Sequence, residues 1–442
     1  MDTLGPSPFL WLEFDKTGAI DPATATSLAA LLNQPGTTDL VVMSHGWKNT
    51  KDDARKLYGT LWANARKKLA PDKASHTVVA GVVWPAKAYR TDFDEQTLVT
   101  PGGGGTLAAD GTAAGPEDLD DQAFKNVLKD FKDLFGPDGA ATAQTARAAA
   151  KTLDETTSFF LVKNGNEALG SPGTDSELKA DSAPIALATD DATSAKMLME
   201  ALIAAPTFNL ERSVGKAQGL GDVVSGLISG PRAAVARFLN QLTYYEMKKR
   251  AGIVGEALTK SVLSKLVLQQ PIRLHLVGHS FGARLVAAAA NGLAPVPKLE
   301  FFSLTLLQGA FSHNGFAKEI KPGLAGAFPD VVGKPTGPIC ITHTHNDLAC
   351  TLAYALASRL SRDIAKSIGD ANDEFGAMGA NGPQHLKAGQ AVEDDTDAVF
   401  APQTGKVNTF LADKYIIKTA ASDAHNNVAN EDVGRLLAKI VG

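Results

Sequence analysis

Among the side chains of this 442-residue sequence that could do chemistry, Ser280 has the most telling surroundings. It stands in Gly278-His279-Ser280-Phe281-Gly282, between an apolar run (Ile272, Leu274, Leu276, Val277) and the alanine-rich stretch Phe281 to Ala290. A short, nearly continuous apolar run is the pattern of a strand buried on both faces; the stretch after it is rich in helix formers and has no breaker. A strand that passes into a helix with almost no loop makes a turn tight enough to hold the serine in a strained conformation, its hydroxyl above the sheet. Gly278 and Gly282 suit that turn because a Cβ at either would collide across it. A hydroxyl presented this way is a candidate nucleophile, provided that a base and an acid can reach it.

The elements that would position such a group are legible on either side. Pro8 to Phe14 reads as an opening strand, Thr26 to Leu32 as a short helix, and Asp39 to Ser44 as a second buried strand that runs into His45-Gly46-Trp47. Leu57, Tyr58, Leu61, Trp62, Ala65 and Leu69 recur at helical spacing, giving a surface helix over Asp52 to Leu69. Thr77 to Trp84, Leu299 to Leu307 and Pro338 to Thr344 complete the set of apolar strands, and Phe238 to Leu268 reads as one or two helices broken near Gly252 and Gly255.

Taken together, Gly-x-Ser-x-Gly at a strand-to-helix junction and an upstream strand ending in His-Gly resemble the α/β-hydrolase superfamily, in particular its bacterial serine esterases and lipases. The resemblance implies an α/β-hydrolase fold: a mostly parallel central sheet flanked by helices. It implies an oxyanion hole made by the backbone N–H groups of Trp47 and Phe281, with Gly46 letting the backbone approach the oxyanion. It also implies the chain order nucleophile, acid, histidine. On that order the acid is Asp347, in the loop after the Pro338 to Thr344 strand, although an acid there would also suit a helix N-terminus. The base is His425, expected after a strand at Tyr415 to Thr419, rather than His385, which has no strand leading to it. Asp423 is a fallback acid. His45, Phe311 and His345 are candidates to line the pocket, and the two tyrosines Tyr244 and Tyr245 are read as core. Among the remaining histidines, His76 is expected in a turn, His275 inside a strand, His279 under the turn and His313 facing solvent.

Between Ala88 and Arg237 the strand pattern dissolves. Pro101 to Gly115 is Gly- and Ala-rich, a stripe at Phe124, Val127, Leu128, Phe131, Leu134 and Phe135 has helical spacing, and further helices are expected over Ala140 to Leu153 and Ala192 to Ala204. The chain thus divides into a catalytic core, 1–87 with 238–442, and a mainly helical insertion, 88–237, serving as a cap or lid.

Composition narrows the function classes. The sequence is 44% hydrophobic and 21% charged with net charge −5, and it has no Lys/Arg run, which argues against nucleic acid or an anionic membrane as the main partner. No signal-like N-terminus and no apolar run near the ~18 residues of a membrane span is visible, so a cytoplasmic location is expected. The two cysteines, Cys340 and Cys350, read as reduced, packed thiols, and no Cys or His spacing resembles a zinc site. The expectation is a cofactor-free and metal-free serine hydrolase acting on a small-molecule or lipid ester with an apolar acyl group, oligomeric state open. An amidase or peptidase on the same fold, and a non-catalytic binding protein that retains it, are the alternatives.

Overall fold

The structure, a computed structural model, describes residues 2–47, 49–70, 72–86, 131, 134–169, 191–204, 231–320, 322–347, 349–350, 376–394, 400–419 and 422–442. The expected loop at 101–115, most of the stripe from Phe124 and the helix expected after Asp347 lie outside these residues.

A nine-stranded sheet organises the fold. Its strands are β1 (Asp2–Leu4), β2 (Ser7–Glu13), β3 (Asp39–Ser44), β4 (Thr77–Val83), β5 (Ile272–His279), β6 (Leu299–Leu307), β7 (Ile339–His343), β8 (Ala391–Asp394) and β9 (Val407–Leu411). They lie in the order β1-β2-β4-β3-β5-β6-β7-β9-β8. Only the edge pair β1–β2 is antiparallel; the other pairings are parallel. The architecture is therefore α/β with a mostly parallel sheet, and parallel strands require helical crossovers that cover both faces. β3 shows why: Leu40 and Val42 enter the core on one face, Val41 and Met43 the core on the other. A strand of this kind has no polar face to alternate with.

The helices follow from that demand. On one face pack α1 (Ala23–Leu32), the C-terminal half of α6 (Pro231–Ala257) and α7 (Phe281–Gly292). On the other pack α2 (Lys51–Arg66) and the C-terminal α9 (Glu431–Val441). Thr50 caps α2 in a reciprocal capping box with Asp53, and Asn430 caps α9 by accepting from the Val433 N–H at 3.0 Å, each cap stabilising its helix by about 1 kcal/mol. Gly252 and Gly255 do not break α6. A Cβ on Gly255 would lie 2.2 Å from the Leu285 carbonyl oxygen, so the missing side chain is what lets α6 and α7 touch.

Within the stretch from 88 to 237 the described residues include the whole of α3 (Pro137–Ala149), α4 (Glu155–Leu169) and α5 (Ala192–Ala204) and the start of α6. Leu161, Val162, Leu198 and Met199 form their own core with Phe238, Leu239 and Leu242 of α6. Met247, Ala251 and Val254, further along the same helix, belong to the sheet core. A boundary at 237 therefore falls inside a continuous helix that joins the two cores. A short helix, α8 (Met378–Asn381), lies beside β7. Among the described residues no helix is long and apolar enough to cross a membrane.

Candidate active site

β5 ends and α7 begins at Ser280, whose φ of 58° and ψ of −123° are unusual for a residue with a side chain. Three contacts fix this conformation. The Ser280 N–H donates to the Leu307 carbonyl at 3.0 Å, and its own carbonyl accepts from Ala283 at 3.0 Å and Ala310 at 3.2 Å. Cβ atoms built on Gly278 and Gly282 would each stand 2.3 Å from a carbonyl oxygen, of Gly282 and Ser44 respectively, so the first glycine is required by the turn itself and the second by the close approach of the end of β3.

Three side chains far apart in sequence meet here. His425 Nε2 lies 2.8 Å from Ser280 Oγ, and His425 Nδ1 lies 2.8 Å from Asp347 Oδ2. With its proton on Nδ1, the imidazole donates to Asp347 and accepts the serine O–H at Nε2. All three groups are buried. Burial pushes the Asp347 carboxyl up, but the His425 charge and hydrogen bonds from His425, the Cys350 N–H and Gln308 outweigh it, leaving the acid below its ordinary value. For His425 burial pushes down, and the charge of Asp347 and its hydrogen bond outweigh that, holding the imidazole above its ordinary value. A hydroxyl in this setting can pass its proton to the imidazole as the oxygen attacks an electrophile.

The loop after β3 lies against the serine: a Cβ on Gly46 would sit 2.6 Å from Ser280 Cβ and 3.1 Å from its Oγ. The Gly46 carbonyl accepts from His45 Nδ1 at 2.9 Å and Asn49 Nδ2 at 3.2 Å. Since C=O and N–H point opposite ways across a trans peptide, this fixes the plane that carries the Trp47 N–H. Phe281 opens α7, so its N–H belongs to the first turn, whose amides have no acceptor within the helix. The rings of Trp47 and Phe281 lie 6.1 Å apart, and Tyr244 of α6 approaches both, at 6.2 and 5.0 Å. Tyr244, read as core from the sequence, does pack against the core, partly buried, and joins Trp47 and Phe281 in one aromatic cluster.

The candidate pocket residues lie elsewhere. His45 is fully buried and stacks on Trp84 at 5.7 Å, its pKa lowered to about 4 by burial. Phe311 is fully buried among Phe316 and Phe328. His345 is largely exposed and donates from Nδ1 to Asp413 at 2.8 Å. His385 bonds Asn314 at 2.8 Å and lines a separate open cavity with Phe316, Lys318 and Leu324. His313, expected to face solvent, is buried beside Gly376. Residues 415–419, expected as a strand, are a turn at Tyr415, a bend at Ile416 and irregular backbone beyond; the strand is β9, Val407–Leu411.

Other contributors escaped the sequence reading. His279 donates from Nε2 to the His425 carbonyl at 2.8 Å, which anchors the main chain of that residue. Asn346 donates to the carbonyls of Asp413, at 2.9 Å, and Ile416, at 3.2 Å, tying the loop of Asp347 to the one that leads to His425. Cys350 approaches too, its Sγ 4.0 Å from His425 Nδ1. Asp347, Cys350 and His425 are metal-ligand types whose donor atoms lie within 4.8 Å of one another. The 2.8 Å between Oδ2 and Nδ1, however, is hydrogen-bond distance; two ligands of a tetrahedral zinc ion stand about 3.3 Å apart.

No family model, no curated protein and no solved structure matches the chain.

Proposed function

We propose that the protein is a serine hydrolase of the α/β-hydrolase type, cleaving carboxylic esters through an acyl-enzyme. The observation that carries the reading is the unbroken relay from Ser280 Oγ through His425 to Asp347, with 2.8 Å at each step. The strained serine and a mostly parallel sheet, antiparallel only at the β1–β2 edge, support it.

In this mechanism Ser280 Oγ attacks the ester carbonyl carbon while its proton passes to His425 Nε2. Asp347 stays ionised and stabilises the imidazolium without taking the proton. The N–H groups of Trp47 and Phe281 receive the charge that develops on the carbonyl oxygen. Collapse of the tetrahedral species breaks the ester C–O bond, and the proton goes from His425 to the departing alkoxide. Water then repeats the sequence on the acyl-enzyme, using His425 as base, and frees Ser280. The partly buried rings of Trp47 and Tyr244, backed by Phe281, offer the acyl group an apolar wall, which favours hydrocarbon acyl chains over charged ones.

The test is hydrolysis of p-nitrophenyl esters of increasing acyl length beside the matching anilides. Ester turnover that Ser280→Ala abolishes supports the reading, and faster acylation by anilides would make the protein an amidase. A folded wild type inert to every substrate and to a fluorophosphonate would point to a binding protein.

A further inference from the structure

Gln308 follows β6 and has φ of 48°, a left-handed conformation that costs a residue with a side chain energy and that glycine would adopt freely. Gly309 stands next to it, yet the strained position is given to a glutamine. The side chain supplies the reason. It is fully buried, and every polar atom of its amide is engaged. Oε1 accepts from the Thr342 hydroxyl at 3.0 Å, and the amide orientation follows from the other end, which faces two groups that can only accept. Nε2 then donates to Asp347 Oδ2 at 3.1 Å and to the Gly379 carbonyl at 3.1 Å. Oδ2 is the same oxygen that accepts from His425 Nδ1, and the Cys350 N–H donates to the other, Oδ1, at 3.0 Å. A Cβ on Gly379 would come within 2.5 Å of the Gln308 main chain, so α8 closes on this residue from the far side.

From this we infer that Gln308 is a positioning residue for the acid of the proposed triad. Held by Thr342 and Gly379, its amide fixes the Asp347 carboxylate in the plane that His425 needs and keeps it ionised inside the protein. The inference rests on the reading of the site as a serine hydrolase. A carboxylate with neither solvent nor a fixed donor can rotate or take a proton, and either change weakens its hold on the imidazolium. The other titratable groups facing His425 are His279, Cys350 and Asp423. Burial keeps His279 neutral, its pKa lowered to about 3, and pushes the Cys350 thiol well up, so neither replaces Asp347 as the charge His425 senses. Asp423 acts on His425 by charge alone and has no bond to its ring in this arrangement.

The experiment uses Gln308→Met, which keeps the length and apolar body but loses both ends of the amide, and Thr342→Val, which removes only the hydroxyl that orients it. With a p-nitrophenyl ester, Gln308→Met is expected to lower kcat about 10- to 100-fold, the effect of losing a hydrogen bond to a charged group, with KM unchanged. The acid limb of its kcat/KM profile is expected to move to lower pH, because a less effective Asp347 lets the imidazole lose its proton more easily. Thr342→Val should shift the limb in the same direction by less. A folded Gln308→Met with wild-type kcat and an unmoved limb overturns the proposal. If Gln308→Met does not fold, an unmoved limb in Thr342→Val does so. If wild type neither hydrolyses esters nor takes up a fluorophosphonate, the hydrolase reading has failed. The positioning claim is then decided by the downfield proton resonance of His425 Nδ1–H: a changed shift or faster exchange in Thr342→Val supports it, and an identical resonance overturns it.

Discussion

Replacing Gly46 by alanine puts one methyl group against the reacting serine of the proposed site. The new carbon would stand 2.6 Å from Ser280 Cβ, 3.1 Å from Oγ and 3.3 Å from the His279 carbonyl oxygen. Carbon atoms in contact prefer about 3.5–4.0 Å, so one partner must move by about 1 Å. The serine is poorly placed to yield, since its N–H and C=O are bonded to Leu307, Ala283 and Ala310. The loop must move instead, taking Trp47 with it, or the hydroxyl must swing off His425. A misplacement of 1 Å costs about 100-fold in rate, and loss of one oxyanion donor costs about 100- to 1000-fold. Gly46→Ala is therefore expected to lower kcat/KM for a p-nitrophenyl ester by about 100- to 1000-fold. Overpacking costs about 1–3 kcal/mol, so the fold should survive with a lower melting temperature. Gly292→Ala is the control, because a Cβ there meets nothing within 4 Å, and it should behave as wild type in both assays. A Gly46→Ala protein with wild-type melting and kcat/KM within about threefold of wild type would refute the argument that this loop abuts the reacting oxygen.

Other outcomes follow from the same geometry. His425→Ala should abolish ester turnover and Asp347→Asn should lower kcat by about 10⁴, by inverting the tautomer of His425, while His385→Ala should be mild; the reverse ranking of the two histidines would displace His425 as base. Because Asp347 holds His425 above its ordinary pKa and the base must be unprotonated, kcat/KM should climb with pH through a midpoint above the ordinary imidazole value of about 6.5; a midpoint below 6 would contradict that coupling. Burial lowers His45 and His343 to about 4, so the unfolded chain takes up protons below about pH 6.5 that the folded chain refuses. Stability should therefore fall between pH 7 and 5, by about 1–2 kcal/mol for each, and a flat melting temperature across that range would refute it. At the opposite end of β3, Asp39 bonds Lys73, Arg273 and His275, and these partners outweigh its burial and hold its carboxyl well below the usual range. Its stabilisation is fully present above about pH 4 and is lost progressively as pH falls from there toward the depressed folded value. Asp39→Asn should destabilise the fold by about 3 kcal/mol in chemical denaturation without changing the pH midpoint of kcat/KM, and an unchanged denaturation midpoint would refute it.

The parts of the fold legible in the sequence were those that periodicity encodes. β3 and β6 have the expected bounds, and β5 leads into α7 where the glycines of the turn require it. Ser280 was marked by its own glycines, whereas Asp347 and His425 were chosen by the chain order that the resemblance implies; the structure brings the three together although the strand expected before His425 is absent. Polar networks decided what stayed hidden. Tyr415-Ile416-Ile417 has strand composition, yet side chains of Asn430 and Asn427 take the Tyr415 and Ile417 carbonyls, while Val407–Leu411, with polar Asn408 and Thr409 among apolar residues, pairs in the sheet. His45 follows a strand at the level of the site, but stacking on Trp84 turns it inward. Gly255 looked like a helix breaker because its partner, the Leu285 carbonyl, is distant in sequence. For Gln308 there was no local signal: its importance lies in Thr342, Asp347 and Gly379, partners that only the folded chain assembles.

Covalent labelling with a fluorophosphonate, followed by peptide mass spectrometry, asks whether Ser280 is the nucleophile. One adduct is expected, on Ser280, formed by wild type, lost in Ser280→Ala and greatly slowed in His425→Ala. An adduct on another residue, or a folded wild type that remains unlabelled, would contradict it.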